Sequence, residues 1–336
     1  MPEVSRKKRI IAYSIATVLA AALALVVIFH QNPLADPQEE VIKKCIAAVL
    51  IVLAYVAFLL LYARMRYLPI ELWQNRKLIW KLARNDFKTR YAGSYMGKIW
   101  AFIQPVVTVL LYYFVFDVIF QNRSQLVASG IEAPYVMWLT AGLVPWFYFT
   151  EALTNGTNAL IGYSYLVKKV VFKISILPII KLIAATFIHA FFVLVMLLMH
   201  LLVYGATPTL YLLQILYYSF CMFIFTLAIS YTTCAIVIFF RDLNQIIGIV
   251  LQIGMWATPI LWDLGFLSGD KEKYRILFKL NPVYYIVNGY RISLFGNTWF
   301  WQDFYSTVYF WIVTVVIFGI GCLVFKKLKP HFADIL

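Results

Sequence analysis

Gly93-Ser94-Tyr95-Met96-Gly97-Lys98-Ile99 comes nearest to phosphate chemistry, with glycines that let backbone amides face an anion and a lysine beside them. A nucleotide-binding P-loop needs four residues between those glycines and a Ser or Thr after the lysine to hold magnesium. Here three residues separate the glycines and Ile99 follows Lys98, so this is not an ATP site. No Ser/His/Asp, Cys/His or HExxH arrangement is present. Cys45, Cys221, Cys234 and Cys322 lie in or at the ends of hydrophobic runs without metal-ligand spacing and read as small apolar residues, and the four histidines are scattered. Asp117 and Glu151 are the acidic residues within apolar stretches, and neither is clearly at a bilayer midplane, which disfavours ion coupling. A neighbouring helix is expected to satisfy Glu151. The chain is therefore expected to catalyse no reaction and to bind neither metal nor cofactor.

The elements that carry these residues are membrane helices. Hydrophobic residues make up 63% of the 336 and charged residues 13%, against about 45–50% and about 25% in soluble domains. Eight windows are long and apolar enough to read as spans: Ile10–Phe29, Cys45–Tyr62, Ile99–Phe120, Val136–Leu153, Ile176–Tyr204, Leu210–Phe240, Ile246–Leu261 and Val308–Phe325. The expected fold is an all-α integral membrane protein with both termini inside. In that orientation 20 of the 29 Lys and Arg residues fall in cytoplasmic segments and 8 outside, as the positive-inside rule requires. The net charge of +14 is spread over segments beside spans, so anionic membrane lipids, and not nucleic acid, are the expected partner. The apolar run after Arg6–Arg9 exceeds the roughly 7–15 residues of a signal peptide and reads as an uncleaved span.

Three divisions follow: 1–70, a two-span N-terminal hairpin; 71–98, a cytoplasmic helical region; and 99–336, a six-span core whose outer segment covers 262–304. Within 71–98, Lys77, Lys81, Arg84 and Lys88 share one helical stripe, opposite Leu78, Ile79, Leu82, Ala83 and Phe87. Asp86 and Arg90 fall on the apolar side one turn apart, where they can pair with each other. Gly162–Lys173 mixes Tyr163, Tyr165, Leu166 and Val167 with Lys168, Lys169 and Lys173, the composition of an ordinary loop or of a short helix seated in a partner's groove. In the outer segment, Asn281-Pro282 reads as N-cap and first helical residue, with a short helix on either side. Tyr284, Val287 and Arg291 then share a face that presents a ring and a cation to a sugar-phosphate chain, or anchors at headgroup level. Aromatic residues are 18% of the chain. Most serve as interfacial belts, while Trp138, Trp146, Phe149, Trp256, Trp262, Tyr284, Tyr285 and Tyr290 are candidates to line a carbohydrate path by stacking on sugar rings.

Arg90-Tyr91-Ala92-Gly93-Ser94-Tyr95-Met96-Gly97-Lys98-Ile99-Trp100, followed by Gln104-Pro105, resembles the RYxxSxLGxxW region of polysaccharide-exporting ABC-2 permeases, with Met96 in place of Leu. Gly142–Phe147, Asn281–Tyr285 with Arg291, and the tail Pro330–Leu336 resemble the same family, from about Trp73 to the end of the chain. The resemblance implies a bacterial cytoplasmic-membrane subunit that exports a lipid-linked teichoic acid, O-antigen, capsule or rhamnan. It further implies a second copy of the chain and two separate ATPase subunits, which hold the ATP and Mg. It makes Arg84–Tyr91 the interface helix, with Arg84, Asp86, Lys88, Arg90 and Tyr91 at the ATPase. It makes Gly162–Lys173 the coupling helix, through Tyr163, Leu166, Val167 and Lys168, and Lys279–Phe295 part of the outer gate. The two extra N-terminal spans depart from the family's six. The competing classes are a membrane-embedded glycosyl- or acyltransferase, which would need converging acid, base or metal-binding residues, and an ATP-independent scramblase.

Overall fold

A computed structural model describes residues 6–29, 37–90, 95–119, 125–126, 132–168, 172–267 and 269–336. Tyr91 and Lys169, both expected in contact segments, lie outside the described residues. The hydrophobic windows fold as α1 (Arg6–Phe29), α2 (Pro37–Met65), α5 (Trp100–Tyr112), α6 (Tyr135–Thr157), α9 (Leu177–Leu198), α10 (Gln214–Ile236), α11 (Leu243–Ala257) and α14 (Phe304–Leu328). Helices α5 and α9 continue as wider π-helical turns over Tyr113–Ile119 and Met199–Val203. Two windows overrun their helices, since α10 stops at Ile236 and α11 at Ala257.

By length and composition, three helical stretches among the described residues are long and apolar enough to cross a membrane: Ile174–Val203, Leu210–Ile236 and Phe304–Ile335. Tyr13–Phe29, Ala47–Val56, Val106–Phe116 and Leu243–Ala257 are shorter apolar helices. Among the described residues the regular elements are all helices except one two-residue antiparallel ladder, β1 (Gln125–Leu126) with β2 (Glu132–Ala133), between α5 and α6.

Helix α6 is the axis of the core, with 18 of its 23 residues buried. It packs against α9, α10, α11 and α13 (Pro282–Phe295). Close approach is possible because small residues face their neighbours: a Cβ on Gly156 would stand 2.5 Å from Ser230 Oγ, and one on Gly254 of α11 2.8 Å from the Trp146 ring. Helix α14 lies along α10, α2 along α14, and α1 along α2, so the N-terminal hairpin is attached through α14. Within the hairpin, Tyr13 OH donates to the Leu59 carbonyl at 3.3 Å and Thr17 Oγ1 lies 2.8 Å from Tyr55 OH.

Between hairpin and core run α3 (Tyr67–Gln74) and α4 (Arg76–Thr89). Helix α4 shows the expected amphipathic split: Ile79 and Ala83 are buried, Leu82 and Phe87 half-buried, and Lys77, Lys81, Arg84 and Lys88 exposed, although Leu78 is exposed with them. Its buried face packs on α9 of its own chain. The C-terminal tail folds back too. Lys329 Nζ donates to Tyr67 OH at 2.7 Å, and Phe332 is buried against Phe325 and Phe239.

Candidate functional site

One candidate site gathers where α4 meets α6, α9 and the two short helices α7 (Ala159–Gly162) and α8 (Ser164–Val167). Asp86 Oδ1 accepts from Lys181 Nζ of α9 and from Tyr163 OH, both at 2.5 Å, and the Lys181 ammonium sits 4.6 Å from the Tyr163 ring centroid. Burial, with Asp86 beside it, pushes the Tyr163 hydroxyl above its ordinary range, so it stays protonated and donates. Arg90 pairs with Glu151 of α6.

Asp86 and Arg90 thus find their partners on α9 and α6, which corrects the expected pairing of one with the other. The reason is burial. Glu151 and Lys181 are lone charges on long apolar helices, and α4 brings each its opposite charge. Just beyond, Asn158 and Asn244 exchange reciprocal amide bonds of 2.9 and 3.1 Å, and the Thr157 and Thr233 hydroxyls meet at 2.7 Å, tying the end of α6 to α11 and α10. Glu71 of α3 accepts from Ser175, whose carbonyl accepts from Tyr231 OH at 2.9 Å.

The other candidate region lies at the opposite end of α6. The Asn281 side chain accepts from Val283 N at 3.0 Å, caps α13 with Pro282 in its first turn, and donates to Thr258 Oγ1 at 2.7 Å. Helix α12 (Arg275–Lys279) stands on the other side of the break, as the sequence leads one to expect. Arg291 is buried. Its Nη1 and Nη2 donate at 2.8 Å to the carbonyls of Pro259 and Ile260, where α11 has ended, and its Nε donates at 3.4 Å to the Trp138 carbonyl of α6. The guanidinium lies 3.4 Å from the Trp138 ring centroid. Gly142 leaves room for it, since a Cβ there would stand 3.1 Å from Arg291 Nη2.

Tyrosine hydroxyls seat the rest of α13. Tyr285 OH lies 2.8 Å from Thr307 Oγ1 and 3.2 Å from Tyr217 OH, and Tyr290 OH lies 2.5 Å from Ser219 Oγ and 3.0 Å from His189 Nε2. Gln214 clasps the following loop from both sides, donating to Thr298 O and accepting from Phe300 N.

The candidate contact residues are therefore divided. Arg84, Lys88 and Lys168 are exposed, whereas Val167 is buried and Tyr163 and Leu166 are half-buried against the chain. Tyr165, absent from the expected contact set, is the exposed aromatic of that segment. Of the candidate path residues, Trp256 is exposed and Trp262 and Tyr284 half-exposed. Trp138, Trp146, Phe149, Tyr285, Tyr290 and Arg291 are buried inside the chain, so the ring and cation of a shared Tyr284–Arg291 face are not both on offer: Arg291 turns inward. Sequence reasoning missed the roles of Lys181, Gln214, Asn158 and Asn244. A lone polar residue inside an apolar run was the available signal for Lys181.

Residues 77–295 match the family model of the ABC-2 type transporter. An O-antigen export system permease protein RfbA of Klebsiella pneumoniae is 28% identical over 257 residues, covering 76% of this chain and 93% of that protein. The protein of the same name from Myxococcus xanthus is 26% identical over 264 residues, covering 79% and 97%. The matched span contains most of α4, all of α5 to α13, and both ends of α6. The chain belongs to the ABC-2 type transporter family, as a transport subunit and not a catalyst.

Proposed function

We propose that this chain is the membrane subunit of a bacterial exporter that moves a lipid-linked polysaccharide across the cytoplasmic membrane, driven by ATP hydrolysis on separate partner subunits. The observation that carries the reading is α4, a helix with an exposed basic stripe whose opposite face is locked by Asp86 and Arg90 onto two core helices and the α7–α8 segment. Such a helix is a platform for an ATPase to press on, coupled to the core through those charges. Arg84, Lys88, Tyr165 and Lys168 form its accessible side, and α4 with residues 162–173 takes the interface and coupling roles. The O-antigen export named for the relatives supports a polysaccharide as the cargo.

A functional unit of two copies of this chain and two ATPase subunits follows from the same reading. Helix α11 supports it, because none of its residues is buried and Ile246, Ile249, Val250, Ile253 and Trp256 stand exposed along it. A second copy facing α11 would enclose a path on which Trp256, Trp262 and Tyr284 offer ring faces to sugars. Eight spans with both termini inside complete the proposed arrangement, with 1–70 as an added hairpin and 262–304 as the outer gate segment. ATP and Mg belong to the partner.

The experiment is to co-express the chain with an ABC ATPase from the same source, purify the complex, and measure ATP-driven transfer of a lipid-linked polysaccharide in proteoliposomes. Transfer that requires both subunits and ATP is expected; transfer by the chain alone would make it a scramblase. Cysteines at Gln125 and Leu267 should react from outside intact cells, and those at Asn75 and Lys329 should not.

A further inference from the structure

Helix α6 is gripped at two places by residues that lie far from it in sequence. Arg90 of α4 holds it at Glu151, and Arg291 of α13 holds it at the Trp138 carbonyl and ring. At 1.5 Å per residue the two grips are about 20 Å apart, most of the way along the helix. Between them α6 is enclosed on nearly every side, and a packed interior moves as a body more readily than it deforms. Pro145 is the place between the grips where a backbone donor is missing, so displacement at Glu151 passes beyond it as a shift or bend.

The loading end is itself shared. Asp86 Oδ1 receives Lys181 of α9 and Tyr163 of the α7–α8 segment on one oxygen. A partner that displaces either α4 or the α7–α8 segment therefore drags the other, together with α9. The Asn158–Asn244 pair carries α11 along with the same end of α6. At the far end Arg291 bonds two carbonyls just past the end of α11, so α6, α11 and α13 are fastened at one guanidinium.

Resting on the transport reading above, we propose that α6 is the lever that carries movement of α4 to α13, and that Glu151 and Lys181 are the positioning residues through which the membrane helices are loaded. Neither touches cargo or nucleotide. Each converts a displacement of α4 into a displacement of a core helix through an opposite charge.

The test uses the reconstituted complex of this chain with its ATPase. Three readings are taken: ATP hydrolysis, polymer transfer, and the labelling rate of a cysteine at the exposed Leu277 of α12 with and without ATP. The unsubstituted complex should show an ATP-dependent change in labelling. Glu151→Gln and Lys181→Met should keep hydrolysing ATP while transfer falls at least fivefold and the labelling response disappears. The charge exchanges Arg90→Glu with Glu151→Arg, and Asp86→Lys with Lys181→Asp, should restore transfer and response to within about twofold. Normal transfer by both single variants overturns the proposal. So does an exchange variant that folds and assembles yet stays uncoupled, which also decides the matter where the single variants fail to assemble. Absence of ATP-driven transfer in the unsubstituted complex instead removes the transport reading, a failure visible before any variant is made.

Discussion

At the α4 end of α6, charge meets charge between long side chains that water still reaches, the Arg90 and Glu151 side chains being 24% and 30% exposed. At the α13 end one cation, 3% exposed, meets backbone carbonyls and a ring. The difference sets which end can yield. Part-exposed ion pairs are weak, salt-sensitive and re-formed at little cost. A buried guanidinium that leaves its carbonyls must find replacements or pay desolvation in full. The α4 end is therefore built to be adjusted by something that binds it, and the α13 end to keep its geometry until it is moved as a unit.

The severest way to break that comparison is at the seat of α13. A Cβ on Gly289 would lie 2.1 Å from a Tyr218 ring carbon, closer than any packed contact allows, so Gly289→Ala should prevent α13 from docking. The expected result is a large loss of monodisperse protein in detergent, recovered in part when Tyr218→Ala is added. Full yield from Gly289→Ala would show that α13 sits loosely and that the fixed end is not fixed.

Next in size is Arg291→Met, which removes the donors to three carbonyls. Charge-assisted hydrogen bonds of this kind make the loss about 3 kcal/mol, read as a lower midpoint of denaturant unfolding in detergent. Arg291→Lys should recover less than half of it, because an ammonium cannot reproduce the planar fork that reaches Pro259 and Ile260 together.

How far each end was legible in the sequence follows the range of its contacts. Asn281-Pro282 announces a helix start because cap and helix lie within a few residues, and α13 begins there. The stripe of α4 is legible for the same reason. Asp86 and Arg90 invited a local pairing at helical spacing, but their partners stand 95 and 61 residues away, and no periodicity encodes that. The residue type of Arg291 and its place beside tyrosines suit a ligand contact and an interior clasp equally, and only the end of α11 at Ala257, which the span window overran, supplies the carbonyls that decide it. Aromatic content misled in the same way: Trp138, Trp146 and Phe149 have the chemistry of a sugar path and the burial of a core.

A smaller effect sharpens the other end. Glu151→Gln keeps an acceptor for Arg90 and removes the part-exposed ion pair, so it should cost about 1 kcal/mol or less of stability. The same unfolding midpoint, compared at low and high salt, should vary less in the variant than in the unsubstituted chain. A loss as large as that of Arg291→Met would erase the proposed contrast between the ends.

The smallest effect on the chain itself belongs to its exposed stripe. Arg84 and Lys88 lie on the side of α4 away from Ile79 and Ala83 and are exposed, so Arg84→Ala with Lys88→Ala should leave the unfolding midpoint within about 0.5 kcal/mol of the original. If that stripe is where an ATPase docks, the same double variant should hold its partner less tightly. The deficit should grow as salt is lowered, because exposed charges attract across about 10 Å at 0.1 M ionic strength and over shorter distances as salt rises. The check is the fraction of ATPase retained on immobilised permease across a salt series. Retention of the unsubstituted complex should fall with salt toward the flat line of the variant. Two parallel curves would mean that the stripe faces lipid headgroups and that the partner reads α4 through Tyr165 and Lys168 instead.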